Sequence, residues 1–159
     1  MATTPGAIVD RMAYLVERVT PAIHSALPFR WFREELDFRE AMTAKPASCL
    51  RMFSIVHGGD TSQALVTDTL VERVEETIEC VIAYPADFRH GGRQLQGLRV
   101  AMSTDAVTVE KTIGVVASDS TLKNLATIFR VDPISREVAG PVLFTVITLR
   151  VEYARSLAA

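Results

Sequence analysis

The stretch TLVERVEETIECVIAY, residues 69–84, carries the clearest pattern in the chain. Apolar side chains fall on one parity: Leu70, Val74, Ile78, Cys80, Ile82 and Tyr84. Polar and charged side chains fall on the other: Arg73, Glu75, Thr77 and Glu79. Because successive side chains of a strand point to opposite faces, this alternation predicts one long strand with an apolar and a charged face. A helix could carry the same letters, but the β-branched content and the stop at Tyr84-Pro85 favour a strand.

Two glutamates interrupt the apolar parity near the beginning of this strand. Glu72 and Glu76 stand where apolar side chains would be expected. We therefore expect the beginning of the strand to be exposed or bulged. No catalytic signature lies on the strand, so its pattern indicates the fold rather than a reaction.

Length and composition indicate one globular domain spanning residues 1–159. Hydrophobic residues make up 48% of the 159 positions and charged residues 23%, which excludes a disordered chain. The net charge of −2 argues against a broad, sequence-independent grip on nucleic acid. No apolar run approaches the roughly 18 residues that cross a bilayer, so we expect no membrane partner.

The N-terminal residues are not expected to be a signal peptide. The beginning, MATTPGAIVDRM, lacks the basic segment of a signal peptide and carries an Asp among its apolar residues. Cys49 and Cys80 each stand in a strand-like run and are predicted to be small buried residues, which suits a reducing compartment.

An amphipathic helix is predicted before the strand. Thr4 is a suitable N-cap, Pro5 suits the first helical position, and Pro21 is expected to end or kink the helix near Thr20. Its apolar stripe recurs at steps of three and four residues: Ile8, Met12, Leu15, Val19 and Ile23.

Residues 27–46 mix aromatic and charged side chains. Phe29, Trp31 and Phe32 could form a short strand or a loop held down by its rings. Nucleic-acid binding, a partly buried connector and a subunit contact are all open readings, since interfaces favour Trp, Phe and Arg. We take these three aromatics as candidate interface residues.

A second strand is predicted at residues 47–57, apolar on both faces and hence covered on both sides. Gly58, Gly59 and Asp60 are expected to end it and to open a small, polar loop over residues 58–68. A loop of that length between antiparallel strands exceeds the usual hairpin range and is often functional. This segment is our candidate contact loop.

The rest of the chain predicts helix, then strands. A helical stripe begins at Leu95 and reaches Ile113, and the triplet Ser103-Thr104-Asp105 leaves open two helical pieces or one kinked helix. Residues 119–124 are predicted to be a connector or one helical turn. Strands are predicted at residues 126–131 and 142–153, with a turn or hairpin end at 135–140 and a fraying tail. The fold class is α+β: a mostly antiparallel sheet with helices packed on one face, an N-terminal helix and a C-terminal β-hairpin.

No catalytic constellation emerges. The triplets that begin at His57 and His90 lack a nucleophile elbow, and His57, Asp60, Asp87 and His90 lack recognisable metal-ligand spacing. Cys80 has no adjacent base, and the glycine-rich run near His90 has no phosphate-loop ending. The sequence favours a binding or structural protein without cofactor or metal over an enzyme.

The order of predicted elements resembles that of tail terminator proteins of long-tailed bacteriophages and of related phage-like injection machines. The resemblance lies in the helix at 5–23, the strand at 49–56, a loop, the long strand that stops at Pro85, the helix from Arg93 and the closing hairpin that ends at 142–153. It covers most of the chain as a pattern of elements and contains no short diagnostic motif.

This resemblance implies a non-enzymatic virion protein of the tail neck, assembled in the host cytoplasm as a homohexameric ring. Such a ring ends polymerisation of the tail tube, joins tail to head, and lets DNA pass through its lumen. Its partners would be the tail tube protein and a head completion or connector protein. On this reading Arg73, Glu75, Thr77 and Glu79 would line the lumen or a subunit seam, where acidic groups let DNA slide because like charges repel. An ordinary exposed sheet face is the alternative reading.

Two other function classes stay open at this point. One is another head–tail connector or tail-tube protein of a phage particle. The other is a small-ligand-binding or enzymatic α+β domain using His57 or His90.

Overall fold

A computed structural model describes residues 3–21, 27–33, 37–63, 71–87 and 94–156. Its helices are α1 (Pro5–Val16), α2 (Phe38–Ala44), α3 (Gln94–Ile113) and α4 (Ser120–Leu125), with a 3-10 turn at Pro46–Ser48. Its strands are β1 (Arg30–Trp31), β2 (Met52–Gln63), β3 (Val71–Pro85), β4 (Thr127–Val131), β5 (Ser135–Ala139) and β6 (Val142–Ser156). His24, His90 and the predicted loop and tail positions 64–68 and 157–159 lie outside the described residues.

These strands form one sheet in the order β1-β2-β3-β6-β4, with β5 also pairing with β6. Only β1 and β2 run parallel among the described pairs; the others are antiparallel. β3 and β6 pair from Val71 opposite Ser156 to Pro85 opposite Val142. The turn that joins β5 to β6 contains Gly140 at φ +57°, a conformation that glycine adopts at little cost. The predicted α+β class, with an N-terminal helix and a C-terminal hairpin, is confirmed.

The main core lies between the sheet and the helices α1, α3 and α4. The even positions of β3 that the sequence assigned to the core are buried there: Val74, Ile78, Cys80, Ile82 and Tyr84. The predicted stripes of the two long helices meet them: Ile8 and Met12 of α1, with Leu98, Met102, Val109 and Ile113 of α3. The two-residue periodicity of the strand and the 3.6-residue periodicity of the helices therefore predict core residues that are buried in the structure.

The ends of α1 and α3 differ in part from the prediction. The Thr4 Oγ1 accepts a hydrogen bond from the Ala7 N–H at 3.3 Å, as an N-cap should, but α1 ends at Val16, before Thr20. α3 is one continuous helix in which Ser103 and Thr104 are exposed and cap nothing. The Thr108 hydroxyl donates to the Thr104 carbonyl at 2.8 Å, so polar residues in mid-helix are satisfied without a break.

Several short elements differ from the prediction or escaped it. The second strand begins at Met52, because residues 46–48 form the 3-10 turn. Residues 135–139, predicted as a turn or hairpin end, form the strand β5, and residues 120–125 form α4. The helix α2 was not predicted, and it packs on the sheet face opposite the main core. There Phe38 and Met42 contact a second cluster of buried side chains: Cys49, Val81, Ala83, Val142, Phe144 and Val146.

Candidate functional site

One face of the sheet is divided into two halves. Near Val81, Ala83, Phe144 and Val146 the face is apolar and α2 packs on it; we call this the covered half. Further along β3 and β6 the same face carries polar side chains, none of them fully buried, and we call this the open half-face: Arg73, Glu75, Thr77, Glu79, Thr148, Arg150 and Glu152. No described helix packs on the open half-face. The predicted charged parity of β3 thus lies together on one surface, and β6 completes it.

The register explains how charges are arranged on the open half-face. Glu75 lies directly opposite Glu152, and Thr77 lies opposite Arg150. Like charges directly opposite each other destabilise a sheet, and here Arg73 forms a diagonal ion pair with Glu152. Hydrogen bonding to Glu152 raises the pKa of Arg73, so this guanidinium stays charged.

A second set of ion pairs borders the same surface. Asp132 contacts Arg130 at 2.7 Å and Arg150 at 3.5 Å. Exposed pairs of this kind contribute little to stability because water and salt screen them. The one carboxylate of Asp132 offsets only part of the positive charge of these two arginines.

The candidate contact loop is not a loop where the structure describes it. Gly58, Gly59 and Asp60 lie within β2, which continues to Gln63, with a register irregularity between His57 and Asp60. Small polar residues suggested a loop, but the long strand β3 offers ladder partners for them, and pairing overrides their weak strand propensity. A Cβ at Gly58 would lie 3.2 Å from the Thr77 methyl carbon, so glycine lets the two strands approach here.

Glu72 and Glu76, for which we expected an exposed or bulged start of the strand, are buried beneath the open half-face. Glu76 is only 6% exposed. The His57 ring contacts its Oε1, and the Tyr153 hydroxyl donates to its Oε2 at 3.0 Å. The Arg155 guanidinium donates to Glu72 Oε2 at 2.6 Å. Paired partners from distant parts of the chain make both carboxylates tolerable inside, so the predicted exposure is wrong. The irregularity in strand register lies between His57 and Asp60 of β2, the strand that pairs with β3 beside Glu76.

The three candidate interface aromatics have different environments. Phe29 is 2% exposed within the main core, so it contributes no surface. Trp31 is half-buried, and the Arg33 guanidinium lies 4.8 Å from its ring centre. Phe32 is half-buried against Phe38, with ring centres 5.6 Å apart. Two of the three therefore reach the surface, at the β1 edge of the sheet.

A buried ionic cluster anchors α3 to the sheet, and no sequence pattern pointed to it. The Arg51 Nε donates to Asp105 Oδ2 at 2.6 Å, and the Tyr84 hydroxyl donates to the same oxygen at 2.9 Å. Both charged side chains are fully buried. Burial, together with Asp105, raises the pKa of Tyr84 well above its ordinary value, so Tyr84 remains a donor. The backbone of Arg51 has φ 55°, a left-handed conformation that is unusual for residues other than glycine.

Metal and thiol chemistry find little support in the described part of the chain. No cluster of His, Cys, Asp and Glu that could hold a metal occurs among the described residues. Cys49 and Cys80 are buried free thiols, as predicted. Desolvation raises the pKa of Cys49 to about 11 and that of Cys80 to about 12, so both thiols stay protonated at neutral pH.

No model of a known protein family matches the chain, and no curated protein matches it either. None of the helices within the described ranges combines the length and apolar character needed to cross a membrane.

Proposed function

We propose that this chain is a non-enzymatic structural protein of a bacteriophage or phage-like particle. It forms a homohexameric ring at the head-proximal end of the tail tube, ends tube polymerisation and joins tail to head. The observation that carries the proposal is the open half-face: a large, charged sheet surface that this chain does not cover with a helix of its own among the described residues.

The order of elements supports the same proposal. α1 precedes a long antiparallel ribbon of β2 and β3, then comes α3, and the hairpin β5–β6 closes the described chain. This is the order on which the resemblance to tail terminators rests. The continuation of β2 to Gln63 lengthens the ribbon, and a long two-stranded ribbon suits contact with a neighbouring subunit or ring.

Charge on the open half-face suits a lumen wall or a subunit seam. The open half-face carries three carboxylates, Glu75, Glu79 and Glu152, and two arginines, Arg73 and Arg150, so its formal charge is acidic. An acidic wall repels the phosphate backbone, so DNA passes without binding. At a seam, the same carboxylates would meet cations of the next copy. The tail tube protein and a head completion or connector protein would be the partners, the assembled virion neck the location, and no cofactor is needed.

Electron microscopy of phage tails that carry the labelled protein tests the proposal. We expect one ring per tail at the end that joins the head, and tails of uncontrolled length when the protein is absent. A ring between capsid and terminator, or rings stacked along the whole tube, would instead indicate a connector or a tube protein. A chain that stays monomeric and never associates with tail tubes would contradict the proposal.

A further inference from the structure

A second surface of the chain is a shallow apolar groove beside α2, at the β1–β2 edge of the sheet. Its volume is about 300 Å³. We call this depression the methionine groove. Its apolar lining includes Phe32, Ala41, Met42 and Met52. Phe32, Ala41 and Met52 are half-buried, so part of each residue stays accessible. A depression of this kind accepts one large apolar side chain.

The rim of the methionine groove is basic. Lys45 and Arg30 line it, and none of the described lining residues is acidic. The Arg30 Nη2 donates to the Ser48 carbonyl at 2.8 Å, while its Nε is buried and has no hydrogen-bond partner. Lys45 is exposed and forms no ion pair in the described part of the chain.

Most other arginines in the described part of the chain form ion pairs with carboxylates. Those that pair with a carboxylate are Arg11, Arg39, Arg51, Arg73, Arg130, Arg150 and Arg155. The nearby Arg33 stacks on Trp31 and, like Arg30 and Lys45, has no carboxylate partner among the described residues. Within the described ranges, positive charge without a carboxylate partner therefore surrounds an apolar depression.

We propose that the methionine groove binds a short acidic segment of a partner protein. One large apolar side chain of that segment fills the groove, and carboxylates beside it pair with Lys45 and Arg30. Apolar burial supplies affinity, and the basic rim selects acidic flanks and fixes their direction. The inference rests on this groove alone and stands whether or not the chain forms a ring.

A peptide fits this site better than a single-stranded nucleic acid. Sequence-tolerant nucleic-acid sites offer exposed aromatic faces in a row of cations. Here Arg33 lies over the ring of Trp31, and Phe32 packs against Phe38.

Methyl-labelled methionines provide a direct test. The probe is a synthetic hexapeptide with a Leu-Phe pair flanked on each side by two glutamates, titrated into the full chain. We expect saturable shifts of the Met42 and Met52 methyl signals, while Met12 and Met102, buried in the main core, stay unchanged. A peptide with lysines in place of the glutamates should bind at least about fivefold more weakly.

Three variants separate docking from folding. Lys45→Glu reverses an exposed rim charge and should weaken binding of the acidic peptide at least about fivefold. Lys123→Glu, the same change at an exposed position of α4, should leave binding within about twofold. Ala44→Phe at the exposed end of α2 should block the groove and abolish the shifts. Equal binding of acidic and basic peptides, shifts at Met12 and Met102 instead, or tighter binding of a single-stranded thymidine decamer to the groove would each overturn the proposal.

Discussion

The covered half and the open half-face are built from the same two strands in one unbroken antiparallel register. Over the covered half, β3 and β6 present apolar side chains and α2 lies across them. Over the open half-face, the same strands present charged and hydroxyl side chains. Strand pairing therefore does not decide whether a sheet face becomes core or surface. The side chains decide it, and a switch from apolar to charged residues marks where the chain's own packing stops.

The reverse side of the sheet, which faces the main core, also differs between these two regions. Beneath the covered half lies the ion pair of Arg51 with Asp105, fully buried with Tyr84. Beneath the open half-face lies Glu76, bound by His57 and Tyr153, with His57 still partly exposed. Because the first cluster is sealed and the second reaches solvent, damage to the first should cost more.

The largest effect is expected from Asp105→Ala. Removing this carboxylate leaves the Arg51 guanidinium buried without its charge partner and the Tyr84 hydroxyl without an acceptor. We expect a loss of about 3–5 kcal/mol in the free energy of unfolding, measured by urea denaturation. Tyr84→Phe, which removes only the hydroxyl, should cost clearly less. Equal effects of the two substitutions would show that the ion pair is not the dominant contact.

A smaller loss is expected when the covered half loses its central ring. Phe144 is fully buried and packs edge-on against Phe38, with ring centres 6.0 Å apart. Phe144→Ala should lower the free energy of unfolding by about 3 kcal/mol, because α2 closes only part of the cavity. Thr148→Ala on the open half-face, in the same strand, should change it by less than about 0.5 kcal/mol. If Thr148→Ala lowered the free energy of unfolding as much as Phe144→Ala, the covered half and the open half-face would not differ in packing as we describe.

An intermediate effect is expected beneath the open half-face. Tyr153→Phe removes one donor from the buried carboxylate of Glu76 but leaves the ring in the core. We expect a loss of about 2 kcal/mol, since hydrogen bonds to charged groups contribute more than neutral ones. Thermal denaturation of Tyr153→Phe beside Tyr14→Phe, whose ring is partly exposed on α1, measures it. If Tyr153→Phe left the stability unchanged, the hydrogen bond from Tyr153 would not be needed to stabilise the buried carboxylate of Glu76.

The smallest effect concerns the helices rather than the sheet. Asp119 caps α4 and pairs with Arg11 of α1 at 2.6 Å. Hydrogen bonding to Arg11 lowers the pKa of Asp119 from 3.8 to about 2. Because the folded-state pKa is the lower one, its stabilising contribution is complete above about pH 4 and is lost as the pH falls towards 2.

The pH dependence of Asp119→Asn measures this contribution. Wild type and variant should differ by a constant melting-temperature gap at neutral pH, and the gap should narrow below about pH 4. A gap that is independent of pH down to 2 would show that the cap, rather than the charge, carries the effect.

Alternation and helical periodicity were enough to predict β3, the faces of α1 and α3, and the fold class. The side chains on β3 that form the open half-face were also predicted, because parity alone separates Arg73 and Glu75 from Val74 and Ile78. The burial of Glu72 and Glu76 could not be predicted, since their partners Arg155 and Tyr153 lie far along the chain and are brought near only by the β3–β6 register.

Elements that depend on tertiary context were predicted least well. Gly58 to Gln63 form a strand because β3 is long enough to pair with them, not because of their own propensity. α2 has seven residues, too few for periodicity to distinguish it from a loop. The methionine groove combines residues of β1, α2 and β2, so no single stretch of sequence indicates it.

The central claim is that the open half-face is a surface for assembly. Light scattering after size-exclusion chromatography, on wild type and on the double variant Glu75→Lys with Glu79→Lys, tests it most directly. We predict that wild type, alone or with tail tubes, has a mass several times that of one 17.5 kDa chain, and that the variant folds equally well but stays monomeric. Glu17→Lys, an exposed change on the helical side, should assemble like wild type. A variant that assembles as wild type does, or a wild type that is monomeric in every condition, would contradict the account.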